Sequence, residues 1–65
     1  MNYKFIEWAN KGIEVSIRHV RRKGVKHYYA DISRHGMNGR MITDKDMKDT
    51  WLDAYLDAEL KVSKL

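Results

Sequence analysis

The sequence predicts an α+β fold: a three-stranded antiparallel sheet packed against one C-terminal amphipathic helix. Three observations lead there. Ile13, Val15 and Ile17 alternate with Glu14, Ser16 and Arg18, and Tyr28, Ala30 and Ile32 alternate with His27, Tyr29 and Asp31, the period of a half-buried strand. Proline is absent, so Gly12, Gly24, Gly36 and Gly39 punctuate the chain. From Met47 onward apolar residues recur at helical spacing.

Taken in order, residues 3–9 are apolar and aromatic and end in Asn10-Lys11-Gly12. This run reads as a fourth, N-terminal strand in preference to one short helix ended by Gly12. The two alternating runs then fold into a hairpin about Arg22-Lys23. That register sets Ile17 against Tyr28, Val15 against Ala30 and Ile13 against Ile32, one apolar face throughout. It also sets Arg18 against His27, Ser16 against Tyr29, and Glu14 against Asp31, a like-charge pair that costs stability. A loop over residues 34–39 leads to a third strand at Arg40, Met41 and Ile42.

Thr43 follows as a helix N-cap, with Asp46 placed to return the bond and with Ile42 and Met47 at the staple positions. Asp44 and Asp46 suit the positive end of the helix dipole, and Lys61 and Lys64 the negative end. Met47, Trp51, Ala54, Tyr55, Ala58 and Val62 form the inward stripe, widened by Leu52 and Leu56. Asp46, Asp49, Asp53 and Asp57 recur on the far side.

At 65 residues without cysteine, one compact domain is expected, stabilised by its core and not by disulfides or a thiolate metal site. No leader-like apolar stretch and no membrane-length apolar run occurs, so the expectation is a cytoplasmic protein with no membrane partner. The net charge of +4 is unevenly spread. Residues 1–43 hold nine Lys and Arg against Glu7, Glu14 and Asp31. Residues 44–65 hold four lysines against six acids. A basic front with an acidic tail points to a polyanionic partner met from the basic side.

Groups suited to catalysis are sparse. Ser16 shares a strand face with His27 and Tyr29, yet no acid is placed to orient that histidine. His19, His27 and His35 are spaced eight apart, but the hairpin sends His19 and His27 to opposite faces, against shared metal coordination. The aspartate stripe lacks a calcium-loop glycine, and no phosphate-binding glycine pattern appears. The expectation is a binding protein, not an enzyme, with no cofactor and no metal.

What remains is the exposed sheet face and the hairpin tip. Arg18, His27 and Tyr29 project from that face and Arg40 joins them from the third strand. Arg21, Arg22 and Lys23 crown the tip, with Lys26 and Arg34 close by. Guanidinium groups suit phosphate oxygens and the acceptor edge of guanine, and a β-ribbon fits the major groove of DNA.

Arg22-Lys23-Gly24, followed by Lys26-His27-Tyr28-Tyr29-Ala30-Asp31-Ile32, is a basic glycine turn leading into a lysine-aromatic-alanine strand. With Met41-Ile42-Thr43 and the helix after it, residues 15–60 resemble the β-β-β-α DNA-binding module of AP2 domains and of the arm-type domains of tyrosine integrases. That resemblance implies a sheet that enters the major groove and a helix that supports it from behind. It assigns DNA contacts to Arg18, Arg22, Lys26, His27, Tyr29 and Arg40.

Two readings follow. One is a small DNA-binding protein of the kind carried by phages and mobile elements. The other is a compact phage-type inhibitor or adaptor that docks on a larger protein, motivated by Trp8, Trp51, Tyr3, Tyr28, Tyr29 and Tyr55 in so short a chain. Exposure of Tyr3, Phe5 or Trp8 as a patch would favour the second, and their burial under the helix would weaken it. Pairing of two copies through an edge strand is compatible with both.

Overall fold

A computed structural model describes residues 2–38 and 42–65 of the chain. It is α+β, with a long two-stranded antiparallel hairpin and a C-terminal helix. In chain order the elements are helix α1 (Phe5–Asn10), strand β1 (Ile13–Arg22), strand β2 (Val25–Arg34), a 3-10 turn (Asp44–Asp46) and helix α2 (Trp51–Ser63). Among the described residues no helix is long and apolar enough to cross a membrane.

The expected N-terminal strand is instead α1. Phe5 and Trp8 are three residues apart, so they share a side in a helix and fall on opposite faces in a strand. Both are needed on one side, because both rings pack against Tyr55, with centroids 5.4 and 5.7 Å away. The helix opens with the Trp8 N–H bonded to Lys4 O at 2.9 Å and ends where Lys11 and Gly12 donate to Trp8 and Ala9.

The hairpin forms with a register two residues removed from the expected one. Its turn is Lys23-Gly24, closed by Arg22 opposite Val25. Positive φ at both turn residues, 51° and 77°, is the type I′ signature, whose twist matches that of the strands. A slip of two keeps every side chain on its predicted face, but changes its partner. Val15 now opposes Ile32 and Ile17 opposes Ala30. The Glu14–Asp31 conflict disappears: Glu14 faces Ser33, and Asp31 faces Ser16. From there Asp31 reaches diagonally to Arg18, with Nε and Oδ2 2.8 Å apart. The electrostatics of the solvent face therefore favour the observed register.

After β2 the chain turns again at His35-Gly36, and Met37–Asn38 pair antiparallel with Arg34 and Ser33. Of the expected third strand, Arg40 and Met41 lie outside the described residues, and Ile42 belongs to no strand. Farther along the open edge of β2, Lys48 exchanges two backbone bonds with Tyr28, at 2.8 and 2.7 Å.

Thr43 does cap a turn, with the Asp46 carboxylate accepting from its N–H and hydroxyl at 2.8 and 2.9 Å. That turn, however, is the short 3-10 segment, and Met47 is extended. The long helix starts at Trp51, where Thr50 accepts from the Asp53 N–H at 3.0 Å. The sequence holds two such Thr-x-x-Asp signals, residues 43–46 and 50–53. The bridge from Lys48 to Tyr28 needs extended backbone between them, so the second one opens the helix.

The core lies between the hairpin and the two helices: Trp8, Ile13, Ala30, Tyr55 and Ala58, with Phe5, Val15, Ile17, Ile32, Trp51 and Val62 packed around them. Tyr55 is its centre. Trp8 and Trp51 stack on it and Tyr3 meets it edge-on, while its hydroxyl accepts from the Lys4 N–H at 2.8 Å. Burial pushes its phenol pKa up. Leu52 and Leu56 do not widen this stripe, because both are exposed. Nor is Asp46 on the solvated acid face: it is buried.

Candidate functional site

Alternation sends neighbouring residues of the hairpin to opposite faces. Val15, Ile17, Ala30 and Ile32 face the helices and are covered by them. Ten residues per strand make an arm about 33 Å long, whereas the 13 residues of α2 extend only about 20 Å. The core-facing side chains accordingly lose their cover toward the turn. His19 is exposed, and residues 21–26 are all exposed. The distal part of the hairpin is a projecting ribbon.

This ribbon is basic on both faces. Arg18 and Arg22 lie on the solvent face with His27 and Tyr29, Tyr29 directly across from Arg18 and His27 across from Val20. Arg21 and Lys26, which oppose each other, lie on the other face, and Lys23 sits in the turn. Lys26 extends its ammonium over the Tyr28 ring, 5.7 Å from the centroid. Residues 15–30 contain five Lys and Arg and no acid.

The carboxylates that approach come from outside that stretch. Asp31 pairs with Arg18, and Asp44 of the 3-10 turn pairs with Arg22. Arg21, Lys23 and Lys26 form no ion pair with any described residue. A cation that is exposed and uncompensated is the available one.

Of the residues expected at the site, Arg18, Arg21, Arg22, Lys23, Lys26, His27 and Tyr29 are thus gathered on the distal hairpin. Arg34 is not. It opposes Ile13 at the base of the arm, about 30 Å along the strand from Val25, beside Lys4, Glu7, Lys11 and Glu59 around a cleft of about 450 Å³. Arg40 lies outside the described residues. The expected reading face keeps Arg18, Arg22, His27 and Tyr29, whereas Arg21 and Lys26 lie on the opposite face, because Arg21 and Arg22 are adjacent and must diverge. Asp44 beside Arg22 was also not expected, since the sequence reading set Asp44 at the positive end of the helix dipole.

No protein family, curated protein or solved structure matches the chain.

Two further features bear on what the surface can do. Leu52, Leu56 and Leu60 are exposed along the outer side of α2. With Met47, Asp49, Asp53 and Asp57, the last two leucines line a shallow groove of about 370 Å³. Among the described residues no three His, Asp or Glu side chains converge in a way that would hold a metal ion.

Proposed function

We propose that the protein binds nucleic acid, duplex DNA in particular, through the distal part of the β1–β2 hairpin. The observation that carries this reading is the acid-free stretch of residues 15–30, whose distal residues 21–26 are exposed beyond the core, with Arg21, Lys23 and Lys26 in no ion pair with any described residue. A groove of DNA has a phosphate wall on each side, and a two-stranded ribbon is narrow enough to enter the major groove. Cations on both faces of such a ribbon supply partners for both walls. Arg21 and Lys26 serve one side, Arg22 the other, and Lys23 leads. Arg18 and Tyr29, farther from the turn, are the side chains placed to meet base edges once the tip is seated. The resemblance to the AP2 and integrase-arm modules supports the same use of the strands.

Anisotropy of a labelled random duplex, titrated across a salt series, tests this. Three to five phosphate contacts predict a slope of log K against log salt of about −3 to −4.5. Replacing Arg21, Lys23 and Lys26 together by Ala should flatten that slope by about 2 to 3. Flat anisotropy at every salt concentration would remove the reading.

A second reading, docking on another protein, is supported by the exposed Leu52, Leu56 and Leu60. Of the N-terminal aromatics, Trp8 is buried and Phe5 half-buried, which weakens this reading, whereas Tyr3 stays exposed while packing on Trp51 and Tyr55.

A further inference from the structure

The arrangement of backbone bonds in the hairpin leaves one edge of β1 open. The His35 N–H donates to Gly12 O, so the Gly12–His35 pair turns its backbone groups inward. Tyr28, opposite His19, spends both backbone groups on Lys48, on the far side of β2. Even-numbered residues of β1 therefore direct N–H and C=O toward β2, and odd-numbered residues direct theirs away. Val15, Ile17, His19 and Arg21 present eight such groups to the open side. None of them meets a backbone partner among the described residues. A ten-residue edge of this kind is a template for another strand.

We propose that this edge pairs with β1 of a second copy of the chain, antiparallel about a two-fold axis near Ile17, joining two hairpins into one continuous four-stranded sheet. The charge pattern of the strand selects the occupant. β1 carries Glu14 near its start and Arg18, Arg21 and Arg22 toward its end. The best complement to a strand acidic at one end and basic at the other is the same strand reversed.

With Ile17 opposite Ile17, Val15 falls opposite His19, and Glu14 falls opposite Val20 with Arg18 and Arg22 of the second copy diagonal to it. Residues of equal parity oppose each other, so the apolar and solvent faces both stay continuous. Glu14 has no ion pair with any described residue of its own chain, and the second copy supplies its cations. The inference does not rest on the nucleic-acid reading, although Arg18, Arg21 and Arg22 take part in both.

Sedimentation equilibrium combined with amide hydrogen exchange tests it on the unmodified protein. A monomer–dimer equilibrium is expected. The amides of Val15, Ile17, His19 and Arg21, which meet no backbone acceptor among the described residues, should exchange at least about tenfold more slowly as concentration rises from micromolar to millimolar. His19→Pro removes an N–H that the β1–β2 ladder does not use and should yield a folded monomer, whereas His19→Ala should still dimerise. A monomer at every concentration would overturn the proposal. So would a dimer in which those four amides remain unprotected, whatever the proline variant does.

Discussion

At the scale of single residues, Asp46 shows how a polar group earns its place inside so small a core. Burial pushes its carboxyl pKa up, but the Lys61 ammonium and the Thr43 N–H and hydroxyl outweigh that and hold it well below the usual carboxylate range. The ion pair joins the 3-10 turn to the last turn of α2, and Asp57 contacts the same ammonium at 2.5 Å. A carboxyl depressed in the folded state stabilises fully above its ordinary pKa of about 3.9, and the contribution is lost as pH falls through the folded value. Asp46→Asn should therefore cost about 2 kcal/mol at neutral pH. That gap from the unmodified protein should shrink on acidification below about pH 4. Urea unfolding at a series of pH values checks both. Because Asp57 remains as a partner for Lys61, the loss should stay below that of a stranded buried charge.

At the scale of elements, the hairpin was the most legible part of the chain and its register the least. Period two fixed the faces of Ile13, Val15, Ile17, Tyr28, Ala30 and Ile32, since faces depend only on parity. The register depends on which two residues tolerate positive φ, and Lys23-Gly24 satisfies that where Arg22-Lys23 does not. The like-charge pair Glu14–Asp31 was the signal that could have found the slip.

The helix was legible in its inward stripe and not in its start. Two Thr-x-x-Asp caps compete, and local pattern cannot rank them: the choice rests on the long-range bond between Lys48 and Tyr28. In α1 two aromatics at i and i+3 reveal a shared face only once Tyr55 is known to need both, so the period alone does not mark the helix. Thr50→Ala should accordingly cost about 1 kcal/mol, a fall in Tm of about 4–8 °C for a domain of this size. A calorimetric scan reads it. No change in Tm would mean that the helix does not depend on Thr50.

At the scale of the whole molecule, the proposed function rests on a mismatch of lengths. The hairpin is longer than the helices that cover it, so its far end leaves the core with its cations. The charge split read from sequence becomes a spatial one. The basic ribbon projects at one end, while Asp49 and Asp53 lie beside the exposed leucines of α2. The sequence located the basic cluster almost completely. It could not place Arg34, whose nearness to the tip along the chain hides a full strand length in space, and it could not foresee the carboxylates that compensate Arg18 and Arg22.

If the uncompensated cations of the distal hairpin hold nucleic acid, DNA should perturb that part of the chain first. The most direct measurement is backbone amide chemical-shift mapping by NMR during titration with a short random-sequence DNA duplex. Shifts should concentrate at residues 18–29, largest at residues 21–26, while those of Ala54 and Ala58 in the core stay in place. An unchanged spectrum, or shifts confined to Leu52, Leu56 and Leu60, would contradict the nucleic-acid reading.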